Sequence, residues 1–285
     1  MKTLSIGILL YQNSAAEVAQ CLDALANQED KDLIGEVLIR DQGSDNCSVV
    51  IAWQRQHPGL LPLVLSTGEN VGFGAGHNCL FAQKSSATSA YVCLNPDGVL
   101  HPQCLSRLHA HAQKHAWQGL FEAMQEPCMP PKYFDPITGK TEWCMGACLL
   151  IPDSVYQDLK GFDEGFFMYC EDVDLSWRAR ALDLDCFACP DALFYHYVDN
   201  RTARNTMILK SRLRLAYKWG AKHYANFITS NLEGILQESP EQISRLVLGT
   251  KLGTELETPK CSDEMIAKVN PNFQVDGLYA RQLWK

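Results

Sequence analysis

The sequence predicts an α/β protein with a mainly parallel central sheet, helices on both faces of that sheet, and a helical region at the C-terminal end. Two observations support this prediction. Short apolar segments alternate with amphipathic segments as far as about His196, and such alternation is typical of parallel sheets that helices cover on both faces. From Ala203 onward, helical periodicity continues without strand signals. We therefore expect one domain at 1–203 and a helical region at 204–285.

Composition indicates a packed globular chain and excludes one class of partner. The chain has 285 residues, of which 46% are hydrophobic and 20% are charged. These values are typical of a large domain with a substantial core. The formal net charge of −8 argues against a nucleic-acid-binding protein, because such surfaces need clustered positive charge.

The N-terminal segment and the cysteines bear on location. The short apolar run in "MKTLSIGILLYQNS" ends without a small-residue cleavage site, and no segment reaches the roughly 18 apolar residues of a membrane span. We expect a cytoplasmic protein, or one attached peripherally to the cytosolic face of the inner membrane. The twelve cysteines then pack as small buried side chains. Cys186 and Cys189 have the CxxC spacing, but a second pair of zinc ligands is missing, so strand packing is the preferred interpretation.

Strands and helices alternate in the first third of the chain. The strand segments are "TLSIGILLY", "EVLIRD", "LPLVLS" and "AYVCLNPDG". The first helix begins at a capping box formed by Ser14 and Glu17 and extends to about Leu25. A second helix is expected near Ser48–Gln56, and a third after the glycine-rich segment "TGENVGFGAGHN".

The later elements follow the same logic. "GACLLI" predicts a strand, and "PDSVYQDL" and "EDVDLSWRARAL" predict helices. In the second of these helices Leu175, Ala179 and Leu182 share one face, and Asp174 pairs with Arg178 on an exposed face. The C-terminal helices are expected at "ARNTMILKSRLRLAYKWGAKHYANFITSNLEGILQ", Glu241–Leu248 and Asp263–Val269.

Three polar motifs follow predicted strands and are expected at one edge of the sheet, where open α/β sheets bind ligands. They are Asp41 to Ser44, Asn70 to Asn78 and Asn95 to Asp97. Asp97 suits Mg²⁺ or Mn²⁺ shared with phosphate oxygens, although Asn-Pro-Asp-Gly taken alone is more typical of a turn. A dinucleotide-binding site is disfavoured, because the glycines at 72, 74 and 76 do not follow the first strand.

Three carboxylates, Glu171, Asp172 and Asp174, directly follow the aromatic run "FFMYC". Like charges at this spacing repel one another, and the dipole at the predicted helix start offsets only part of that repulsion. Pairing with Arg178 accounts for Asp174 alone. The other two carboxylates, next to aromatic residues, indicate a functional site.

These motifs together resemble glycosyltransferase family 2 with the GT-A fold, in particular its bacterial rhamnosyltransferase-like branch. The similarity covers roughly Thr3 to His196 and consists of "RDQGSDN", "GENVGFGAGHN", "LNPDG", "GACLLI", "GFDEGFFMYCEDVDLSWRAR" and "FYH", in the family's order and approximate spacing. It implies an inverting transfer from a nucleotide-sugar donor with a divalent metal, Mn²⁺ or Mg²⁺. On this basis 1–203 form the nucleotide-sugar-binding catalytic domain, and 204–285 serve acceptor or membrane-surface docking.

Carried over by position, the family pattern assigns a role to individual residues. Asp172 is the catalytic base, and Asp97 and His196 are the metal ligands. The donor-binding residues are Asp41, Gly43, Ser44, Asn70, Gly72, Phe73, Gly74, Gly76, Asn78, Asn95 and Asp97. The acceptor or sugar pocket, walled by the aromatic residues before Asp172, contains Trp143, Gly146 and Glu171. The chain departs from the pattern at three positions, Gln42, Asn46 and Asn95.

The resemblance favours transfer of L-rhamnose from dTDP-rhamnose to a lipid-linked (polyprenyl-linked) or polysaccharide acceptor in cell-surface glycan synthesis. One alternative is a transferase that uses UDP-galactofuranose or a UDP-hexosamine. Another is a non-catalytic protein of the same fold that binds nucleotide sugars or glycans. Retention of Asp97, Asp172 and His196 together argues against the non-catalytic protein.

A cluster of basic residues in the C-terminal region has two interpretations. Its members, interleaved with apolar and aromatic residues, are Lys210, Arg212, Arg214, Lys218 and Lys222. Such a helix can lie on an anionic membrane surface, which would bring the protein to a polyprenyl-linked acceptor. Alternatively, the helix packs on the sheet-containing domain and leaves its charges in solvent.

Overall fold

The structure, a computed structural model, describes residues 2–127, 132–196, 204–248 and 260–273. The strands are β1 (Leu4–Leu10), β2 (Ile34–Asp41), β3 (Leu63–Thr67), β4 (Ala90–Leu94), β5 (Gly98–Leu100), β6 (Gly119–Pro127), β7 (Lys140–Thr141), β8 (Cys148–Pro152) and β9 (Asp185–His196). The helices are α1 (Ala15–Ala26), α2 (Cys47–Gln56), α3 (Phe73–Gln83), α4 (Cys104–Lys114), α5 (Asp153–Asp158), α6 (Glu171–Ala181), α7 (Asn205–Lys218), α8 (Lys222–Leu236), α9 (Pro240–Leu248) and α10 (Asp263–Val269).

A single sheet organises the fold. Its strand order is β3-β2-β1-β4-β8-β6-β9-β5, and β7 pairs with β9. The first four strands of this order are parallel. Strand β8 is antiparallel to β4 and β6, and β6 and β9 are again parallel. The predicted α/β class with a mainly parallel central sheet is confirmed.

Helices cover both faces of the sheet, as predicted. On one face Ile6 and Ile8 of β1 pack with apolar residues of α1, α2 and α4. On the other face Leu9 packs with residues of α3, α5 and α6. Successive residues of a strand point to opposite faces, so a strand buried on both sides is a continuous apolar run, which is the pattern of "LSIGILL".

The predicted helix start at Ser14 is confirmed in detail. Ser14 Oγ accepts a hydrogen bond from the amide of Glu17 at 3.2 Å, and Glu17 Oε2 accepts one from the amide of Ser14 at 2.7 Å. This reciprocal capping box satisfies two amides that a helix end leaves without partners. Helix α1 ends at Ala26, one residue beyond the prediction.

Four elements between residues 98 and 141 were not predicted: β5, α4, β6 and β7. Strand β6 pairs with β9 from Gly119 to Pro127 and lies between β8 and β9. Strand β9 contains Cys186 and Cys189, which are buried free thiols. Strand packing of this CxxC pair is therefore confirmed.

The C-terminal helices pack against α6 rather than standing apart. Trp177 of α6 and Trp219, just after α7, meet edge to face with ring centroids 5.3 Å apart, and Val269 of α10 belongs to the same buried cluster. The long predicted helix is broken at Gly220, whose φ of +70° is easily reached only by glycine. The predicted boundary between 203 and 204 adjoins 197–203, which lie outside the described residues.

Two predictions about exposure are wrong. Leu182 does not share the buried face of α6, because it follows the last turn and is 52% exposed. Lys218 does not face solvent, since it is only 7% exposed and lies against α6. Of the basic cluster, Lys222 is exposed, whereas Lys210, Arg212 and Arg214 are half-buried. None of the helices in the described ranges has the length and apolar composition needed to cross a membrane.

Candidate active site

The loop after β2 is organised by Asp41. This residue is 2% exposed, and its carboxylate accepts hydrogen bonds from the amide and hydroxyl of Ser44 at 2.8 and 2.7 Å and from the amide of Cys47 at 3.1 Å. Burial raises the pKa of Asp41, but these hydrogen bonds outweigh burial and hold the pKa below its ordinary value. Asp41 therefore fixes the loop that contains Gly43 and also binds the first amide of α2, that of Cys47.

Gln42 connects this loop to the glycine-rich segment. Its Oε1 accepts from the amide of Val71 at 3.2 Å, and its Nε2 donates to the carbonyl of Gly72 at 3.4 Å. The sequence presented Gln42 only as a departure from the family pattern. The structure shows a side chain that joins the loop after β2 to the glycine-rich segment, and its place inside a polar motif that follows a strand is the signal that could have identified it.

The glycines of the second motif are required by close packing against 162–167. Gly72 has φ +89°, and a Cβ there would lie 2.0 Å from the carbonyl oxygen of Phe167. The amide of Phe73 donates to that same oxygen at 2.8 Å. A Cβ at Gly74 would lie 2.8 Å from Cβ of Phe162. The family pattern assigns these glycines to donor binding, and the structure supplies an additional, internal reason for them.

The two asparagines of this motif act on the protein itself. Asn70 Oδ1 accepts from the amide of Gly72 at 3.0 Å. Asn78 Oδ1 accepts from Tyr156 Oη and the amide of Phe162, and its Nδ2 donates to the carbonyl of Phe162. These bonds attach α3 to the segment that leads into α6, which explains Asn78 without a ligand.

Asp97 and His196 come together because β5 pairs with the end of β9, with Gly98 opposite His196. His196 Nε2 lies 3.1 Å from Asp97 Oδ1, and His196 Nδ1 lies 3.0 Å from Gln125 Oε1. Burial raises the pKa of Asp97, but the hydrogen bond and charge of His196 outweigh burial and lower it. The predicted metal ligands are thus neighbours, 99 positions apart in sequence.

The chemistry of this pair fits a divalent cation. Both ring nitrogens of His196 face oxygen acceptors, so without a cation the imidazole needs two protons to satisfy them. A cation bound by Nε2 and the carboxylate of Asp97 would replace one of these protons. No group of three candidate ligands occurs in the part of the chain that the structure describes, and Mg²⁺ and Mn²⁺ commonly complete their shell with water and substrate phosphates.

Asp172 lies at the start of α6, half-buried and held by two amides. Its Oδ2 accepts from the amide of Gly146 at 3.0 Å, and its Oδ1 accepts from the amide of Val173 at 2.8 Å. Burial raises the pKa of Asp172 more than these hydrogen bonds lower it. A raised pKa brings a carboxylate closer to the range in which it accepts protons at neutral pH.

Glu171 has different surroundings. It is 5% exposed, and its Oε2 has no hydrogen-bond partner. Burial, and then the nearby charge of Asp172, raise the pKa of Glu171 well above its ordinary value. Burial and the charge of Asp172 therefore both favour the protonated form of Glu171.

Asp174 is not an exposed ion-pair partner. Its pairing with Arg178 is confirmed, with Nε to Oδ2 at 2.8 Å, but its side chain is 0% exposed. It also accepts hydrogen bonds from Lys218 Nζ at 2.9 Å and Trp219 Nε1 at 3.0 Å. The predicted exposed face is wrong because α7, far along the chain, covers it.

The aromatic residues before Asp172 separate into two environments. Phe166 is 1% exposed and lies beneath Arg214 and Lys218, whose charged groups are 5.5 and 5.8 Å from its ring centre. It packs against α7 and does not wall an open pocket. Phe167 is 45% exposed. Trp143 is 9% exposed, with Lys132 Nζ 4.4 Å from its ring centre.

Comparison with known proteins identifies the class of this protein as a glycosyltransferase. The model of Glycosyl transferase family 2 matches residues 5–174, and the chain belongs to that family. Rhamnosyltransferase WbbL of Escherichia coli K12 is 38% identical over 63 residues, which cover 21% of this chain and 24% of WbbL. N-acetylglucosaminyl-diphospho-decaprenol L-rhamnosyltransferase of Mycobacterium tuberculosis is 25% identical over 215 residues, which cover 59% of this chain and 68% of that protein.

Solved structures confirm the GT-A fold. The mannosyltransferase PcManGT of Pyrobaculum calidifontis, in complex with GDP-Man and Mn²⁺, has a TM-score of 0.60 at 15% identity, covering 94% of this chain and 72% of its own. GalNAc-T7 with UDP, GalNAc and Mn²⁺ has a TM-score of 0.63 at 11% identity, covering 78% and 50%. TarS 1–349 of S. aureus in complex with UDP has a TM-score of 0.58 at 15% identity, covering 86% and 70%.

Proposed function

We propose that this chain is a metal-dependent inverting glycosyltransferase that transfers L-rhamnose from dTDP-rhamnose to a lipid-linked or polysaccharide acceptor in cell-surface glycan synthesis. The observation that carries the metal-dependent transfer is the 3.1 Å contact between Asp97 and His196, at the sheet edge where α/β folds bind ligands. The names of the two rhamnosyltransferase relatives support the choice of sugar.

Asp97 and His196 would hold Mn²⁺ or Mg²⁺. When bound, the cation would neutralise charge on the donor's diphosphate and on the nucleoside diphosphate that leaves. Gln125 fixes the ring of His196 through Nδ1, which leaves Nε2 directed toward Asp97. Such outer contacts commonly set the orientation of a ligating histidine.

Asp172 would accept the proton of an acceptor hydroxyl. The hydroxyl oxygen forms the new bond to the anomeric carbon of the sugar, the bond from that carbon to the diphosphate oxygen breaks, and the proton passes to Asp172. Attack from the face opposite the leaving group inverts the anomeric configuration. The amides of Gly146 and Val173 keep the carboxylate oriented while its remaining lone pairs accept the proton.

The remaining assignments follow from position. The loop containing Asp41, Gly43 and Ser44 would contact the nucleoside, with Asp41 acting by shaping the loop. Residues 70–76, including Phe73, and Asn95 would line the rest of the donor site. Trp143, Gly146 and Glu171 would border the sugar and acceptor.

A UDP-sugar donor is the second candidate. TarS and GalNAc-T7 are in complex with UDP, and the loop after β2 departs from the family pattern at Gln42 and Asn46, which lowers the weight of a dTDP assignment. The UDP sugars to compare are UDP-galactofuranose and the UDP-hexosamines. The non-catalytic alternative predicts donor binding without turnover.

A polyprenyl-linked acceptor would place the protein at the cytosolic face of a membrane. The mycobacterial relative is named for a diphospho-decaprenol substrate. Lys218 cannot contribute to an anionic-surface contact, because it is buried against α6. Lys222, exposed, and the half-buried Lys210 and Arg212 are the members of the basic cluster that would.

A nucleotide-sugar screen tests the proposal. Each donor is added with and without Mn²⁺, and thermal stability is measured, because a ligand that binds only the folded state raises Tm by mass action. We expect dTDP-rhamnose with Mn²⁺ to give the largest shift. A larger shift with a UDP-sugar would replace the donor, and no shift with any nucleotide sugar would contradict the proposal.

A further inference from the structure

Three successive amides before β8 are held by three different side chains. The amides of residues 144–146 donate in turn to Ser176 Oγ at 2.9 Å, to Glu122 Oε2, and to Asp172 Oδ2 at 3.0 Å. Adjacent residues are about 3.8 Å apart along the chain, so the carboxylates of Glu122 and Asp172 lie within roughly 10 Å of each other. The same short segment therefore joins the proposed base to a second buried acid.

Glu122 forms a buried ion pair with Lys132. The side chains are 6% and 5% exposed, and Lys132 also donates to the carbonyl of Trp143 and lies 4.4 Å from its ring centre. Burying two charges costs free energy that their attraction rarely exceeds by much. A buried pair at this location is therefore poorly explained by stability alone.

The titratable groups that interact with Asp172 come from several elements. They are Glu171 on its own helix, Glu122 on β6, Lys132 before β7 and Cys93 on β4. Burial raises the pKa of Cys93 well above its ordinary value, so its thiol is neutral at pH 7. Asp174 faces α7 and is paired there. Of these groups, Lys132 alone carries positive charge.

We infer that Glu122 and Lys132 are positioning residues for the base: Glu122 fixes the segment that orients Asp172, and Lys132 supplies a positive charge that favours the ionised form of Asp172. The inference rests on the proposed role of Asp172. It predicts effects of opposite sign, because Lys132 favours the carboxylate form of Asp172, whereas the negative charge of Glu122 opposes it.

The experiment measures kcat/KM against pH for the full chain and two variants. In Lys132→Met the acid limb of the kcat/KM profile should move to higher pH, by about 0.5–1.5 units, the usual size for loss of one nearby charge at a partly buried site. Below the midpoint of this limb, kcat/KM of the variant should be several-fold lower than that of the wild type, and above the midpoint the two should be equal. In Glu122→Gln the limb should move to lower pH. Lys140→Met, which removes an exposed partner of Asp185, is the matched control and should leave the limb in place.

Further variants keep the outcome decisive. If Lys132→Met fails to fold, Lys132→Arg, which keeps the positive charge, should have the wild-type midpoint of the acid limb. The double variant Glu122→Gln/Lys132→Met should also have a midpoint close to that of the wild type, because both charges are gone. Equal loss of activity at every pH, or limbs that move in the same direction, would overturn the inference. Full transfer by Asp172→Asn would instead overturn the proposed base.

Discussion

At the residue scale, three acids within four positions have three different surroundings. Asp172 is held by two amides at the site, Glu171 is buried with an oxygen that lacks a partner, and Asp174 is enclosed by cations and Trp219. The spacing of the three acids in the sequence cannot predict these different surroundings, because the burial of each acid depends on residues far along the chain. Each acid therefore has its own expected phenotype.

Asp172→Asn should abolish most transfer while leaving donor binding intact. Asn is nearly isosteric and its Oδ1 can still accept one of the two amides, that of Gly146 or that of Val173, but its Nδ2 cannot accept the other and the side chain cannot take the acceptor's proton. We expect kcat to fall by about 10²–10⁴-fold, the usual contribution of a positioned general base. The Tm shift with donor and Mn²⁺ should match wild type. Unchanged turnover in a correctly folded variant would remove Asp172 from the mechanism.

Glu171→Gln should change how stability depends on pH. The pKa of Glu171 is raised in the folded state, so its stabilising proton is fully present below the ordinary value of 4.5 and is lost as pH rises through the folded pKa. Within that window the wild type loses about 1.4 kcal/mol per pH unit through this group. Gln mimics the protonated form, so the variant should have the flatter profile of Tm against pH. The exposed Glu69→Gln is the control, and an unchanged slope in Glu171→Gln would contradict the assigned burial effect.

Asp97→Asn should weaken metal-dependent donor binding. The substitution removes the negative charge that would bind the cation, while the amide still fits the turn. We expect a smaller Tm shift with donor and Mn²⁺ than in wild type, and a smaller difference between shifts with and without Mn²⁺. His196→Ala should act in the same direction. Asp185→Asn, on the surface, is the control, and wild-type Mn²⁺ dependence in Asp97→Asn would show that Asp97 is not a ligand.

At the element scale, sequence patterns located most elements because local chemistry specifies them. The capping box at Ser14 and the apolar run of β1 needed no tertiary information. Strand β6 was missed, and the burial of Asp174 beneath α7 was wrongly predicted. Both depend on contacts between distant segments, such as the bond of Asp174 to Lys218, 44 positions away. The same limit explains why the polar motifs indicated a shared sheet edge but not the role of Gln42, Gln125 or Glu122.

Asp174→Asn should destabilise the packing of α6 on α7. It leaves Arg178 without its ion-pair partner and Lys218 with Asp163 alone, and breaking a buried ion pair typically costs about 3–5 kcal/mol. Denaturant unfolding should show this loss, whereas Asp183→Asn, which pairs with Lys268 in solvent, should show almost none. Because Asp174 does not contact the proposed reacting groups, kcat of the folded fraction should change far less than in Asp172→Asn. Wild-type stability would contradict the buried network.

At the scale of the whole molecule, the C-terminal helices complete the core beneath the proposed base. Trp177, on the helix that begins with Glu171 and Asp172, is fully buried against Trp219 and Val269. Asp174 and Asp163 both accept hydrogen bonds from Lys218. The proposed metal ligands therefore lie at the sheet edge, whereas the proposed base lies on α6, which the C-terminal helices hold in place.

A chain that ends at residue 203 should consequently lose both stability and donor response. Truncation exposes Trp177 and leaves Asp174 without Lys218 and Trp219, so apolar area and buried charge are uncovered together. We expect a broad thermal transition at lower temperature and no Tm shift with donor and Mn²⁺. Leu246→Ser, which changes an exposed residue of α9 (54% exposed), should keep the wild-type Tm and donor shift. If the truncated chain instead unfolds cooperatively at the wild-type Tm and retains the donor shift, residues 1–203 fold independently and the C-terminal helices serve only acceptor or membrane docking.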